Sequence, residues 1–223
     1  MRIRRKKHLF ERLDAVKDYI IELPKEIPNV LEAVKDKRYI DFVTLFGNTN
    51  PVELEIGCGK GGFIIQKAKE NPNVNYIAVE LLQNVMVMAV ENAKREELKN
   101  LRFINTAAEY LPRYIMDNSI ENIYLNFSTP YPPNSYESHR LTCDRFLVSY
   151  KNYLVNGGVV FQKTDDKDFY DYSLWKFREN GYEVNDVSKD IDDGKMYNIE
   201  TEYEKKFRAI GKPIYALTAK NVK

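Results

Sequence analysis

Three glycines and two glutamates stand where a nucleoside-containing ligand could be held. Gly57, Gly59 and Gly62 fit the spacing G-x-G-x-x-G in LEIGCGKGGF, between an apolar run and a helical pattern. Glycines at such a turn let the backbone bend tightly and approach a ligand closely. Glu80 closes the next apolar run, NYIAVE, 21 residues after Gly59. A carboxylate there can accept hydrogen bonds from both hydroxyls of a ribose. Lys60 is followed by Gly61 rather than Ser or Thr, which argues against a Walker-type phosphate loop.

Glu55, two residues before Gly57, separates the remaining ligand classes. A dinucleotide would set an anionic pyrophosphate against this carboxylate. S-adenosylmethionine has no phosphate and presents a sulfonium and an ammonium, both attracted to it. The pattern therefore points to S-adenosylmethionine held by Glu55, Gly57, Gly59 and Glu80, with a plain tight turn as the bland alternative. NTAAEY (105–110) follows a third apolar run, so backbone groups around Ala107 are placed to read an adenine edge, or simply form a small-residue turn.

The other candidate stretch is YLNFSTPYPPNSYESHRLT, Tyr124 to Thr142. It begins as a buried strand and ends as a polar loop with Thr129, Tyr131, Pro133 and Tyr136. The tyrosines could stack on bases or pack the loop against the domain.

These residues need elements to position them. VELEI (52–56), NYIAVE (75–80), LRFIN (101–105), IENIYLNF (120–127), VVFQKT (159–164), YEVNDVS (182–188) and PIYALTA (213–219) read as seven strands. Helical spacing covers 9–22, 29–40, the stretch after the glycine turn, 81–98 with Val85, Met88 and Ala89 on one face, 108–116, 142–154 closed by Asn156-Gly157-Gly158, and 166–180. Asp165 is placed to cap that last helix, and Trp175 reads as core. Alternating strands and helices give an α/β, Rossmann-like fold, mostly parallel with helices on both faces and an antiparallel edge pair. Ligands of such sheets sit at the carboxyl ends of the strands.

With 223 residues, 43% apolar and 30% charged, the chain can bury one sizeable core. Two cysteines, Cys58 and Cys143, make neither a disulfide framework nor a zinc pattern, so no metal is expected. No apolar run is long enough to span a bilayer, and MRIRRKKHLFERLD lacks the apolar core of a secretory signal; the expected location is cytoplasmic. Net charge is +1, but Arg2, Arg4, Arg5, Lys6 and Lys7 cluster at the start, as a solvated tail or a phosphate-binding arm.

ELEIGCGKGGFI, NYIAVE, IYLNFSTPYPPNSYESHRLT, FQKTDD and TEYEKKFRAIGKPIY occur in an order and spacing that resembles the bacterial tRNA (guanine-N7-)-methyltransferase family over about residues 44–218. The resemblance implies a class I methyltransferase domain over 46–223, behind a basic N-terminal helical extension over 1–45. It implies methyl transfer from S-adenosylmethionine to N7 of guanine 46 in the tRNA variable loop; for the assembly, a monomer and a homodimer both stay open. It assigns Glu55 and Glu80 to the cofactor, and Asp165, Thr201, Glu202, Tyr203 and Glu204 to the substrate side. Glu204 could pair with a guanine edge; equally, Thr201 and Glu204 have the spacing of a helix capping box.

The loop departs from the family form Asn-Phe-x-Asp-Pro-Trp-Pro-Lys-Lys-x-His. Thr129 stands at the acidic position, Tyr131 at the tryptophan, and Pro133 and Asn134 at the lysines; the later basic run is reduced to His139 and Arg140. Ala107 replaces an acidic residue near the adenine. Thr129, where catalysis and cofactor contact are expected, has a hydroxyl but no charge. Two other readings follow: a catalytically impaired paralogue that binds RNA, and a methyltransferase for a different, less anionic substrate.

Overall fold

The computed structural model describes residues 6–24, 27–131, 134–191 and 198–223. Arg2, Arg4 and Arg5 of the basic cluster, and Pro132 and Pro133 of the loop, lie outside the described residues. The chain divides into two units, one ending at Ile115 and one starting at Met116.

The first unit contains α1 (Leu9–Asp14), α2 (Val30–Ala33), α3 (Phe42–Phe46), β1 (Val52–Ile56), α4 (Gly62–Glu70), β2 (Asn75–Val79), α5 (Gln83–Arg95), β3 (Leu101–Ile104) and α6 (Leu111–Tyr114). Its strands are parallel in the order β3-β2-β1. Every residue of β1 and β2 is buried, as in a parallel sheet covered on both faces. Helix α5 buries Met86, Ala89, Val90 and Ala93, spaced i, i+3, i+4 and i+7, together with Val87. Val85 and Met88, expected on the inner face, are only half-buried at its margins.

The N-terminal segment differs from its sequence reading. The helix expected over 9–22 stops at Asp14, because Ile20 is drawn into a parallel bridge with Phe103 of β3 and the Ile21 N–H donates to the Phe103 carbonyl at 2.8 Å. The segment is fastened further by Arg12, whose Nε and Nη2 donate to the two carboxylate oxygens of Glu91 at 2.6 Å each. The buried Arg113 similarly donates to the carbonyl and carboxylate of Asp36. Likewise the helix expected over 29–40 is reduced to α2, since 38–40 run extended and donate from Arg38 and Ile40 to the carbonyls of Arg113 and Tyr114.

The second unit contains β4 (Ile120–Asn126), α7 (Asp144–Tyr153), β5 (Leu154–Thr164), α8 (Lys167–Glu179), β6 (Tyr182–Ser188), α9 (Glu202–Arg208) and β7 (Tyr215–Asn221). β4 and β5 pair in parallel, and β7 lies antiparallel between β5 and β6. The expected antiparallel edge pair is thus present, although α9 lies between its two strands in sequence.

Gly157 and Gly158 do not close a helix. They fall inside β5, where the register with β4 slips between Ile120 and Asn122. Gly157 sits at φ 84°, and a Cβ on Gly158 would come within 2.7 Å of the Glu121 carbonyl, so the pair forms a bulge only glycine permits. Trp175 is not core: it is 53% exposed. α8 buries Phe169, Tyr170, Ser173, Lys176 and Phe177, and Trp175, two positions beyond Ser173, points away from that stripe.

Among the described residues, no helix is long and apolar enough to cross a membrane, and no three His, Cys, Asp or Glu side chains gather as a metal site.

Candidate active site

In the first unit the glycine turn joins β1 to α4. Gly57, Gly59 and Gly61 adopt φ of 85°, 58° and 83°, which L side chains rarely accept. The Gly57 and Cys58 N–H groups donate to the Val79 carbonyl at 2.8 and 3.0 Å, locking the turn against the end of β2. No atom lies within 4 Å of the Cβ positions of Gly57 and Gly59, so their outer faces are open to a ligand. The glycine demanded by packing is Gly61 rather than the motif's Gly62. A Cβ at 61 would lie 2.8 Å from the Ala89 Cβ on α5, whereas Gly62 has nothing within 4 Å.

Glu80 follows β2 and is held by both oxygens. Its Oε2 accepts the Gly59 N–H at 3.0 Å and its Oε1 accepts the Leu82 N–H at 2.9 Å. Asn105 fixes the backbone beneath it, donating from Nδ2 to the carbonyls of Glu80 and Leu81 at 2.8 and 3.0 Å. NTAAEY does not by itself assign Asn105 this role; an amide just past a strand is the signal it offers.

Glu55, on β1, is 2% exposed. Burial, and then the charges of Glu55 and Glu80, push the Cys58 thiol up. Both carboxylates therefore act on one turn and make it electronegative. A pyrophosphate would be repelled there, and a sulfonium or ammonium accepted, so the residues fit S-adenosylmethionine. Ala107 precedes a 3-10 turn over Ala108–Tyr110; its carbonyl accepts the Tyr110 N–H at 3.0 Å and its side chain packs against the cluster of Ala33, Tyr110 and Tyr114.

In the second unit Thr129 is exposed on the turn after β4. Phe127 and Tyr131 flank it at φ 52° and 45°, unusual for aromatic residues. The Phe127 N–H donates to the Lys163 carbonyl at 2.8 Å. Tyr131, His139 and Tyr136 form a run of rings with centroids 5.6 and 6.1 Å apart. Arg140, grouped with the basic run by sequence, is buried instead and donates to the carbonyls of Pro130 and Tyr131 at 2.8 and 3.1 Å.

α9 carries TEYE. Thr201 and Glu204 form the capping box: the Glu204 N–H donates to Thr201 Oγ1 at 3.0 Å, and the Thr201 N–H donates back to Glu204 Oε2. Glu204 is 0% exposed, and its oxygens also accept from Lys163 Nζ (3.0 Å), Arg208 Nη2 (2.8 Å) and Asn198 Nδ2. A carboxylate so enclosed offers no face to a guanine edge, which corrects that sequence reading. Lys163 in FQKTDD carries a sequence signal of its own, since a lysine inside an apolar strand is rarely buried unless paired.

Glu202 and Tyr203 are exposed, and the Tyr203 ring stacks with Phe127 and Phe207 at 6.1 and 6.4 Å. Asp165 does not cap α8. Asp166 does so, accepting the Phe169 N–H at 2.8 Å, while Asp165 pairs with Lys212 at 2.9 Å.

Solved structures of low identity share this fold. A 16S rRNA methyltransferase, KamB, superposes with a TM-score of 0.63 at 16% identity, covering 84% of this chain and 96% of its own. A precorrin-6y C5,15-methyltransferase from Geobacter metallireducens GS-15 gives 0.54 at 17%, covering 85% and 84%. Fold and glycine turn together define a class I, S-adenosylmethionine-dependent methyltransferase. The model of the Methyltransf_4 family, described as "Putative methyltransferase", matches residues 49–217. Among curated relatives, the tRNA (guanine-N(7)-)-methyltransferase of Geobacillus sp. (strain WCH70) is 40% identical over 221 residues, 99% of this chain and 96% of that protein. That of Bacillus subtilis (strain 168) is 42% identical over 173 residues, 77% and 81% of the two. The chain belongs to the tRNA (guanine-N(7)-)-methyltransferase family.

Proposed function

We propose that this chain methylates N7 of a guanine in tRNA, in the cytoplasm, with guanine 46 of the variable loop as the target. The 40% identity over 221 residues to a protein of that named activity carries the reading. Residues 46–223 serve as the methyltransferase domain and residues 1–45 as a basic extension toward RNA phosphates.

S-adenosylmethionine, when bound, supplies the electrophilic methyl group on a sulfonium. Glu80, already oriented by the Gly59 and Leu82 N–H groups, would accept from the ribose; Glu55 would favour the cationic end; the open faces of Gly57 and Gly59 would allow close approach; and backbone groups at Ala107 would read the base. N7 of guanine already presents an in-plane lone pair, so no side chain has to remove a proton, and the protein's contribution is placement. Thr129 offers a hydroxyl and a backbone in place of a carboxylate, so positive charge developing on the base is met by a dipole only.

Asp165, Thr201, Glu202 and Tyr203 form the substrate side. Tyr203 is exposed and already stacked with aromatic neighbours, a suitable platform for a base. Glu204 contributes by holding α9 in place.

Incubation with methyl-labelled S-adenosylmethionine and tRNA, followed by digestion to nucleosides, tests the reading. Labelled 7-methylguanosine is expected; none above background would reject it. Threonine at position 129 favours one second reading, a paralogue that binds tRNA without turnover. That reading predicts tRNA binding by a silent wild type and activity on Thr129→Asp combined with Pro133→Lys.

A further inference from the structure

The turn that carries Thr129 has an unusual backbone. The residues at 127 and 131, both aromatic, occupy the left-handed region at φ 52° and 45°. Such geometry persists where surrounding structure over-determines it. One side of the turn is fixed by the Phe127 N–H on the Lys163 carbonyl. The other side is fixed by Arg140. Its Nε donates to the Pro130 carbonyl at 2.8 Å and its Nη2 to the Tyr131 carbonyl at 3.1 Å, two neighbouring donors of one planar fork on consecutive carbonyls.

Arg140 is itself held. Its guanidinium lies 4.3 Å from the centroid of the Tyr172 ring on α8. The Tyr172 hydroxyl donates to Glu137 Oε1 at 2.9 Å, and the Arg140 N–H donates to the Glu137 carbonyl at 3.0 Å. Two residues on, Thr142 is fully buried, its hydroxyl 2.8 Å from that of Ser173 on α8. The end of the loop is thus seated on α8, and its guanidinium reaches back to the start.

We infer that Arg140 is a positioning residue for methyl transfer, acting through the backbone of the Thr129 turn and not as a contact to RNA phosphate. Only 8% of Arg140 is exposed, and its fork is occupied by protein carbonyls, which leaves little of it for a phosphate. Lysine cannot substitute, because an ammonium is a compact point charge without the planar fork.

The inference rests on the methyltransferase reading for its kinetic arm only. Arg140→Lys keeps the charge and loses the fork. It is expected to lower kcat about 10- to 10²-fold with KM for tRNA and the salt dependence of tRNA binding unchanged. Amide exchange at Thr129 and Tyr131 is expected to quicken about tenfold or more, as opening of a local unit becomes easier. Tyr172→Leu, which removes the ring but leaves Arg140, is expected to reproduce both effects, whereas Tyr172→Phe keeps the ring and stays close to wild type in kcat. A raised KM with a shallower salt slope, an unchanged kcat, or unchanged exchange at the turn in Arg140→Lys or Tyr172→Leu overturns the inference. If the wild type makes no 7-methylguanosine, the function reading fails alone, and the exchange measurements still decide whether Arg140 holds the Thr129 turn.

Discussion

Lys163 Nζ lies 3.0 Å from Glu204 Oε2, with the two side chains 7% and 0% exposed. The pair joins β5 to the start of α9 and so fixes the helix on which Glu202 and Tyr203 are displayed. Taking one partner from a buried pair leaves the other charge uncompensated, at a cost of about 3–5 kcal/mol. Glu204→Ala is expected to lower stability by that amount in urea denaturation. Glu202→Ala, at an exposed position, should stay within about 0.5 kcal/mol of wild type. Equal effects of the two would contradict the arrangement.

Gly61→Ala and Gly62→Ala should separate sharply. At Gly61 the added methyl meets Ala89 Cβ at 2.8 Å and Ile65 Cδ1 at 2.9 Å, at φ 83°. Overpacking costs about 1–3 kcal/mol, and the left-handed backbone about 1–2 more. Gly62 opens α4 with free space around it, so alanine there should be neutral or slightly stabilising. Thermal melting of the two variants decides between this assignment and the motif's own.

Glu80→Ala should weaken binding of S-adenosylhomocysteine about 10- to 10²-fold. Hydrogen bonds to a charged group contribute about 1.5–3 kcal/mol, and each 1.4 kcal/mol is about tenfold. Isothermal titration gives the affinity directly. An unchanged value would place the ribose elsewhere.

Thr129→Asp should raise kcat about 10²-fold, the usual worth of one oriented electrostatic contact. Initial rates of methyl transfer to tRNA read the effect. If the aspartate brings no gain, this turn does not deliver its side chain to the reacting base.

Acid should loosen the N-terminal segment. Hydrogen bonds from Arg12 hold the Glu91 carboxyl below the ordinary carboxylate range. A depressed folded value means the pair stabilises above the unfolded range, and its contribution is lost as pH falls through the folded value. Glu91→Gln should therefore melt below wild type at neutral pH, and the gap should close as pH is lowered into the acid range. A gap independent of pH would show that the Glu91 charge is not involved.

The sequence by itself determined the glycine turn, the place of Glu80 at a strand end, the seven strands and the spacing that permits a capping box in TEYE. Each of these depends on local rules: positive φ at glycine, a run of apolar residues, an i, i+3 spacing. Only the tertiary structure decided which way the ambiguous side chains face. Gly61 is required because α5 brings Ala89 against it. The first helix ends early because β3 captures Ile20. Trp175 lies outside because α8 spends its inner stripe on other residues. Glu204 is enclosed by Lys163, 41 residues away, and Arg140 is turned inward by the carbonyls of a turn it follows in sequence. A charged side chain takes its partner from whatever the fold sets beside it, and the order of residues along the chain does not reveal that neighbour.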